Sequence, residues 1–189
     1  MTAPALTSSH PPQSLHIALL DRIRSGDREA LGALYTELAP RLLRVAWRVV
    51  GNRNDAEDVL HDLFVALPSA LRRYQESGRL EAWLVQCVTR GALMRLRTTQ
   101  RRREDALPAV DQFIAASRPD LGPEVLEAEQ RLAELPVALR TVLLLKQLEG
   151  LSHAEIAETL GISEGNSRVR LARALEQLNA TRPVARPTP

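Results

Sequence analysis

The sequence predicts an all-α protein made of two small helical bodies joined by a flexible linker, and three observations carry that expectation. Apolar residues recur at three- and four-residue spacing, as in Ile17, Leu20 and Ile23 and then Leu31, Leu34, Leu38 and Leu42, which is a helical period rather than strand alternation. Aromatic side chains make up only 3% of the chain, too few for the Tyr-, Trp- and Phe-rich strands of a sandwich or barrel. The helical period breaks once in the interior, at ALPAVDQFIAASRPDLGP (106–123), where three prolines and a glycine fall within 18 residues.

Composition narrows the function classes. The chain has 189 residues with 25 basic and 23 acidic side chains, for a net charge of +2, and every basic residue but Lys146 is an arginine. Its single cysteine, Cys87, cannot form an internal disulfide, and no Cys/His cluster has zinc spacing. The four histidines (His10, His16, His61 and His153) are scattered in no ligand or triad pattern, so neither an enzyme, a metal site nor a cofactor is expected. No apolar run approaches the ~20 residues that span a bilayer. The first fifteen residues lack both the charge and the hydrophobic block of a signal peptide, so a soluble, cytoplasmic protein is expected.

Taken in order, residues 1–14 are Pro-, Ser- and Thr-rich and read as a disordered tail, followed by a helical body over 15–105. Within it, NRNDAEDVLHDLFVALP (52–68) predicts a helix capped by Asn54 with Glu57 at the third helical position. Asp55, Glu57, Asp58 and Asp62 place four carboxylates in its first two turns. Favourable interaction with the helix dipole accounts for the earlier ones. Asp62 lies too far in, which leaves a patch that docks on a basic partner as the alternative. Pro68 is expected to end or kink this helix.

The next helix, RLEAWLVQCVTRGALMRLRTTQRRR (79–103), turns Leu84, Val88 and Gly91 to one side, with Cys87 and Ala92 flanking them. Trp83, Arg90, Met94, Arg97 and Arg101 share another arc. Stacked guanidiniums behind a Trp, followed by Arg102 and Arg103, suit a phosphate track with a base-stacking platform. A solvated charged face, with Trp83 filling core, is the plainer alternative. Cys87 reads as a small core residue.

Beyond the 106–123 linker a second body spans 124–180, and 181–189 is another Pro-rich tail. An 18-residue linker reaches roughly 60 Å when extended, against about 34–36 Å for one turn of DNA. In this body LAELPVALRTVLLLKQLEG (132–150) supplies a supporting helix, with Leu143, Leu144 and Leu145 as core. The clearest local pattern is LSHAEIAETLGISEGNSRVRLARALEQL (151–178). Ser152 and Glu155 form a capping box, Gly161 supplies a left-handed turn, Ile162 plugs it, and Ser163 caps a second helix. Helix, tight glycine turn and helix make a helix-turn-helix. On the second helix Leu171, Leu175 and Leu178 fall on one side beside Ala174. Asn166, Val169, Arg170, Arg173 and Gln177 fall on the other, where they can meet base edges and methyl groups, with Arg168 on the flank towards phosphate. An ordinary amphipathic helix or a protein-binding hairpin is the alternative.

In this order the blocks resemble a bacterial RNA polymerase sigma factor of the extracytoplasmic-function (ECF) type. Residues 26–64 look like the start of that family's second region, 78–103 like its promoter-reading end, and 135–178 like its fourth region, three ordered blocks within a span of roughly 150 of the 189 residues. The resemblance implies a region 2 helical bundle and a region 4 helix-turn-helix. The helix of Asp55, Glu57, Asp58, Asp62 and Phe64 would dock on core RNA polymerase. Trp83, Arg90, Met94, Arg97, Arg101, Arg102 and Arg103 would bind the −10 element and help to open it. Ser163, Asn166, Arg168, Val169, Arg170, Arg173 and Gln177 would read the −35 element. Promoter DNA, core polymerase and an anti-sigma factor are the implied partners, with the free chain a monomer and catalysis left to the polymerase. The chain departs from the family at Arg90 and Met94 (often Asn and Asp), at Ser167 (usually Val) and at Pro68 (a common aromatic). Those departures admit a second reading, a degenerate sigma-like protein that sequesters an anti-sigma factor or the polymerase without initiating.

Overall fold

The structure is a computed structural model that describes residues 13–75, 77–104 and 122–180. The expected tail at 181–189, nearly all of the tail at 1–14 and most of the 106–123 linker lie outside the described residues. Among those described there are helices and turns and no strand, as the spacing pattern predicts.

The first body is built on α2 (Arg28–Val50), with α1 (Gln13–Arg24), α3 (Arg53–Leu71) and α4 (Leu80–Glu104) around it. Asp27 starts α2 by accepting hydrogen bonds from the backbone N–H groups of Glu29 (2.9 Å) and Ala30 (3.1 Å). Gly51 ends it in the left-handed region at φ 85°, donating to the Trp47 carbonyl. Between those caps Ala30, Leu34, Leu38, Leu42, Val45, Ala46 and Val49 recur at helical spacing and are all buried. Each leucine so buried contributes roughly 1.5–3 kcal/mol.

Helix α3 differs from expectation at both ends. Its cap is Asn52, not Asn54: Gly51 turns the chain sharply enough that Asn52, in extended conformation, accepts from Asp55 N at 2.8 Å. Asn54 is therefore already helical, and Glu57 pairs with Arg53 at 2.7 Å instead of closing a capping box. Nor does Pro68 end the helix, which runs on to Leu71. Proline removes one hydrogen bond to the carbonyl four residues back, and burial of Leu67 and Leu71 on either side holds the last turn in place.

The second body contains α5 (Pro123–Glu134), α6 (Val137–Leu143), α7 (His153–Leu160) and α8 (Glu164–Ala180). After α6 the chain widens into a π-helical turn, Leu144–Leu148, which delivers Leu151 to the core. Leu143, Leu144 and Leu145 are all buried, as expected of a supporting helix.

The two bodies touch. Val142, Leu144, Leu145, Leu151 and Ile156 join the same apolar cluster as the first body's core. Around it, arginines of the first body meet glutamates of the second. Arg41 pairs with Glu149 (2.8 Å), Arg48 with Glu129, and Arg79 with Glu155 (2.9 Å). Arg140, 5% exposed, spans the seam from the other side, donating to the carbonyls of Ala133 (2.8 Å), Leu135 (3.2 Å) and Val49 (3.1 Å). Val49 lies in the last turn of α2, where carbonyls lack helical partners and the dipole favours a cation.

Candidate nucleic-acid interface

Helix-turn-helix geometry is present in full at α7 and α8. Ser152 accepts from Glu155 N while Glu155 accepts from Ser152 N, which closes the capping box. Hydrogen bonds from Ser152 and the facing Arg79 outweigh burial and hold the Glu155 carboxyl below its ordinary pKa. Gly161 takes φ 65° and ψ 40°, conditions that a side chain rarely meets. Ser163 Oγ accepts from Asn166 N at 3.1 Å and so caps α8.

The seam of α8 is centred on Ser167, Leu171, Ala174 and Leu178, with Ala174 fully buried against α6. Leu175, placed on this side by the sequence reading, is instead 39% exposed. It lies about 100° round the helix from Ala174, beyond the edge of that seam. On the opposite flank Arg170 is half-buried and bonds Asn166 Oδ1 at 2.9 Å. Asn166, Val169, Arg173 and Gln177 are exposed, and Arg168 is held beside Glu164 at 2.9 Å. Asn166, Val169, Arg170, Arg173 and Gln177 therefore share one side of α8, with Arg168 round the helix from them, and Arg168 and Arg170 are each held by an i,i+4 contact.

On α4 the expected stripe divides. Arg90, Met94, Arg97 and Arg101 are exposed, Met94 at 68%. Trp83 is drawn toward the core: half-buried, it packs on Tyr74 with ring centroids 4.7 Å apart. Arg102 and Arg103 continue the helix, but their side chains lie outside the described residues. Arg90 stands 3.8 Å from Glu158 of α7, so the stripe begins where the two bodies meet. Leu84, Val88 and Ala92 are fully buried as expected, and at Gly91 a Cβ would stand 3.2 Å from Val59, which sets how closely α4 approaches α3. Cys87 is half-buried, and burial raises its thiol pKa against the opposing pull of Arg90.

The acidic residues of α3 are not equivalent. Asp55 and Asp58 both accept from Arg95 of α4, each at 2.6 Å. Glu57 and Asp62 remain exposed, whereas Phe64 is nearly buried, edge-on to Tyr35 at 4.8 Å. Beside them lies an open groove of about 940 Å³ between α2 and α3, lined by Leu31, Tyr35, Phe64, Val65 and Pro68. Tyr35 and Val65 are exposed there. Neither Arg95 nor this groove was foreseen, because both arise only where two helices meet. Among the described residues no cluster of His, Cys, Asp and Glu is arranged to hold a metal ion, and no helix is long and apolar enough to cross a membrane.

Comparison with known proteins places these surfaces in context. The family profile of sigma-70 region 2 matches residues 34–102, and that of sigma-70 region 4 matches 126–178. SigE of Mycolicibacterium smegmatis, an ECF RNA polymerase sigma factor, is 33% identical over 165 residues; the match takes in 82% of this chain and 63% of SigE, less than two thirds of its length. CarQ of Myxococcus xanthus, an RNA polymerase sigma factor, is 30% identical over 84% of this chain and 92% of its own. In structure the chain shares the fold of RpoE from Bartonella quintana, solved in complex with the anti-sigma factor NepR. The TM-score is 0.70 at 21% identity, over 82% of this chain and 99% of that one. CnrH, solved with the cytosolic domain of CnrY, superposes with TM-score 0.59 at 26% identity, over 86% and 94% of the two chains.

Proposed function

The chain belongs to the ECF sigma factors of bacterial RNA polymerase, and on that premise we propose how it divides the work of directing the polymerase to promoters. The observation that carries the reading is the presence on one chain of two separate, exposed, arginine-bearing helix faces, on α4 and α8, beside an acidic helix.

Helix α8 reads the −35 element in the major groove. Arg170 and Arg173 suit guanine edges, Asn166 and Gln177 suit adenine, and Val169 suits a thymine methyl. Ser163 and Arg168 lie nearer the phosphates. Helix α4 tracks the −10 element with Arg90, Arg97, Arg101, Arg102 and Arg103, and Met94 offers an apolar contact to an unstacked base. Trp83, half-buried and held on Tyr74, positions the start of that helix.

On α3, Glu57, Asp58 and Asp62 face core polymerase, with Asp55 and Phe64 acting from beneath. Asp55 is tied to Arg95, and Phe64 forms the floor of the adjoining groove. Bond-making belongs to the polymerase; this chain supplies binding energy and strand separation. An anti-sigma factor is the regulatory partner in this reading, as NepR is for RpoE, and the cytoplasm is where the chain would meet core enzyme.

Transcription from a library of host promoters with core polymerase plus this chain tests the proposal. Discrete transcripts that depend on the chain are expected. Polymerase binding without any transcript would instead favour the sequestering role.

A further inference from the structure

The outward residues of α8 are accounted for above, but its inner side holds one polar group that they leave unused. Ser167 is fully buried on a seam otherwise lined by Leu171, Ala174 and Leu178. A hydroxyl sealed from water is unfavourable unless it is hydrogen-bonded. Its partner is His153, whose Nδ1 lies 2.9 Å from Ser167 Oγ.

The two residues sit at telling places. His153 is the first residue of α7, directly after the Ser152 cap, and Ser167 lies in the first turn of α8. The helices are therefore joined at two points. One is the Gly161 turn, where Ile162 N donates to the Ala157 carbonyl at 3.1 Å. The other is this bond, about 12 Å back along α7 at 1.5 Å per residue. Packing of Leu171, Ala174 and Leu178 on α6 holds the middle of α8, and the bond to Ser167 holds its first turn against the start of α7. A slip of ~1 Å at Ser167, about 6 Å along α8 from its Ser163 cap, turns α8 by roughly 10° and moves a side chain ~15 Å from that cap, such as that of Arg173, by about 2 Å, beyond what side-chain contacts to base edges tolerate.

We propose that His153 is a positioning residue for promoter readout, acting through its hydrogen bond to Ser167 to fix the direction in which α8 enters the groove. The inference rests on the assignment of α8 to the −35 element. It adds that readout depends on a side chain of the preceding helix, acting through Ser167.

The test uses full-length chain with core polymerase on two duplexes, a promoter recovered by the holoenzyme from host DNA and the same duplex with its −35 element scrambled. His153→Leu should weaken binding to the intact duplex about tenfold and leave the scrambled one unchanged. His153→Asn, whose amide reaches Ser167 from the position of Nδ1, should return affinity to within twofold of the parent. Ser167→Ala keeps the seam closed and loses only the bond, so it should match His153→Leu and serve in its place if that variant fails to fold. Equal losses in the Leu and Asn variants, or equal losses on the two duplexes, would overturn the proposal. Arg173→Ala separates the two levels. If it leaves the intact duplex unaffected, the assignment of α8 fails and the positioning role with it. If it weakens binding while Ser167→Ala does not, the positioning role alone fails.

Discussion

Arg140 shows how one side chain can hold two bodies together without a counter-ion. Burial lowers its guanidinium pKa, yet three carbonyls from both bodies accept hydrogen bonds from its Nη1 and Nη2 groups. Deleting it leaves those carbonyls without its N–H donors and removes a cation from the negative end of α2. Arg140→Ala should therefore lower stability by about 2–4 kcal/mol in urea unfolding; a loss under 0.5 kcal/mol would show that water replaces the guanidinium without penalty. Nothing in the sequence marks this arginine, because its partner at Val49 is 91 residues away. The same holds for Arg95, 37 residues from Asp58, and for His153, whose isolation among polar neighbours hides its link to Ser167. His153 also carries a pH signature. Burial, then the Lys146 and Arg168 cations, lower its pKa, with Glu164 opposing. The unfolded chain then binds the proton more readily than the folded one. Stability should be level above about pH 6.5, the ordinary histidine value, and fall as pH drops below it. His153→Asn should flatten that fall, and an unchanged profile would assign the fall to another group.

At the scale of elements, legibility follows range. The helix-turn-helix was written locally: Ser152 with Glu155, Gly161, and Ser163 all act within four residues, so sequence and structure agree there. Helix α3 was misplaced by two residues because Asn52 and Asn54 both suit a cap, and only the Gly51 turn decides between them. On α4 the arginine stripe was legible from spacing, whereas the fate of Trp83 depended on Tyr74 arriving from the preceding turn. The same distinction bears on the acidic helix. Asp58 is the obvious residue to reverse from sequence alone, but it is shared with Arg95, so its reversal would also push α4 away. Asp62 is exposed and stands clear of that pair. Asp62→Arg should weaken binding to core polymerase several-fold while leaving the thermal midpoint unchanged, as judged by competition for core enzyme and by circular dichroism. Undiminished affinity would reassign the acidic residues of α3 to dipole compensation and to the Arg95 contact.

For the molecule as a whole, the sequence suggested separate bodies on a tether, and the structure shows them sharing a core and a ring of arginine–glutamate pairs. Partly exposed pairs contribute about 0.2–1 kcal/mol each, less than the apolar side chains they surround. High salt alone should therefore leave the chain compact. Reversing two glutamates at once converts attraction to repulsion: Glu129→Arg with Glu149→Arg should enlarge the radius of gyration in X-ray scattering without loss of helix. An unchanged radius would show that the shared core suffices. Even in this compact arrangement Arg97 and Arg101 on α4 and Arg173 on α8 remain open to solvent, so neither DNA-facing surface is closed off by the other body. The most direct test of the central claim, that these two faces grip two promoter elements together, is a footprint of the reconstituted holoenzyme on one of its own promoters, with permanganate probing of thymines. The account predicts two protected patches, near −35 and −10, with reactive thymines at the second, and selective loss of the first patch in Arg170→Ala. A single protected patch, or protection at both places with no reactive thymine, would contradict it.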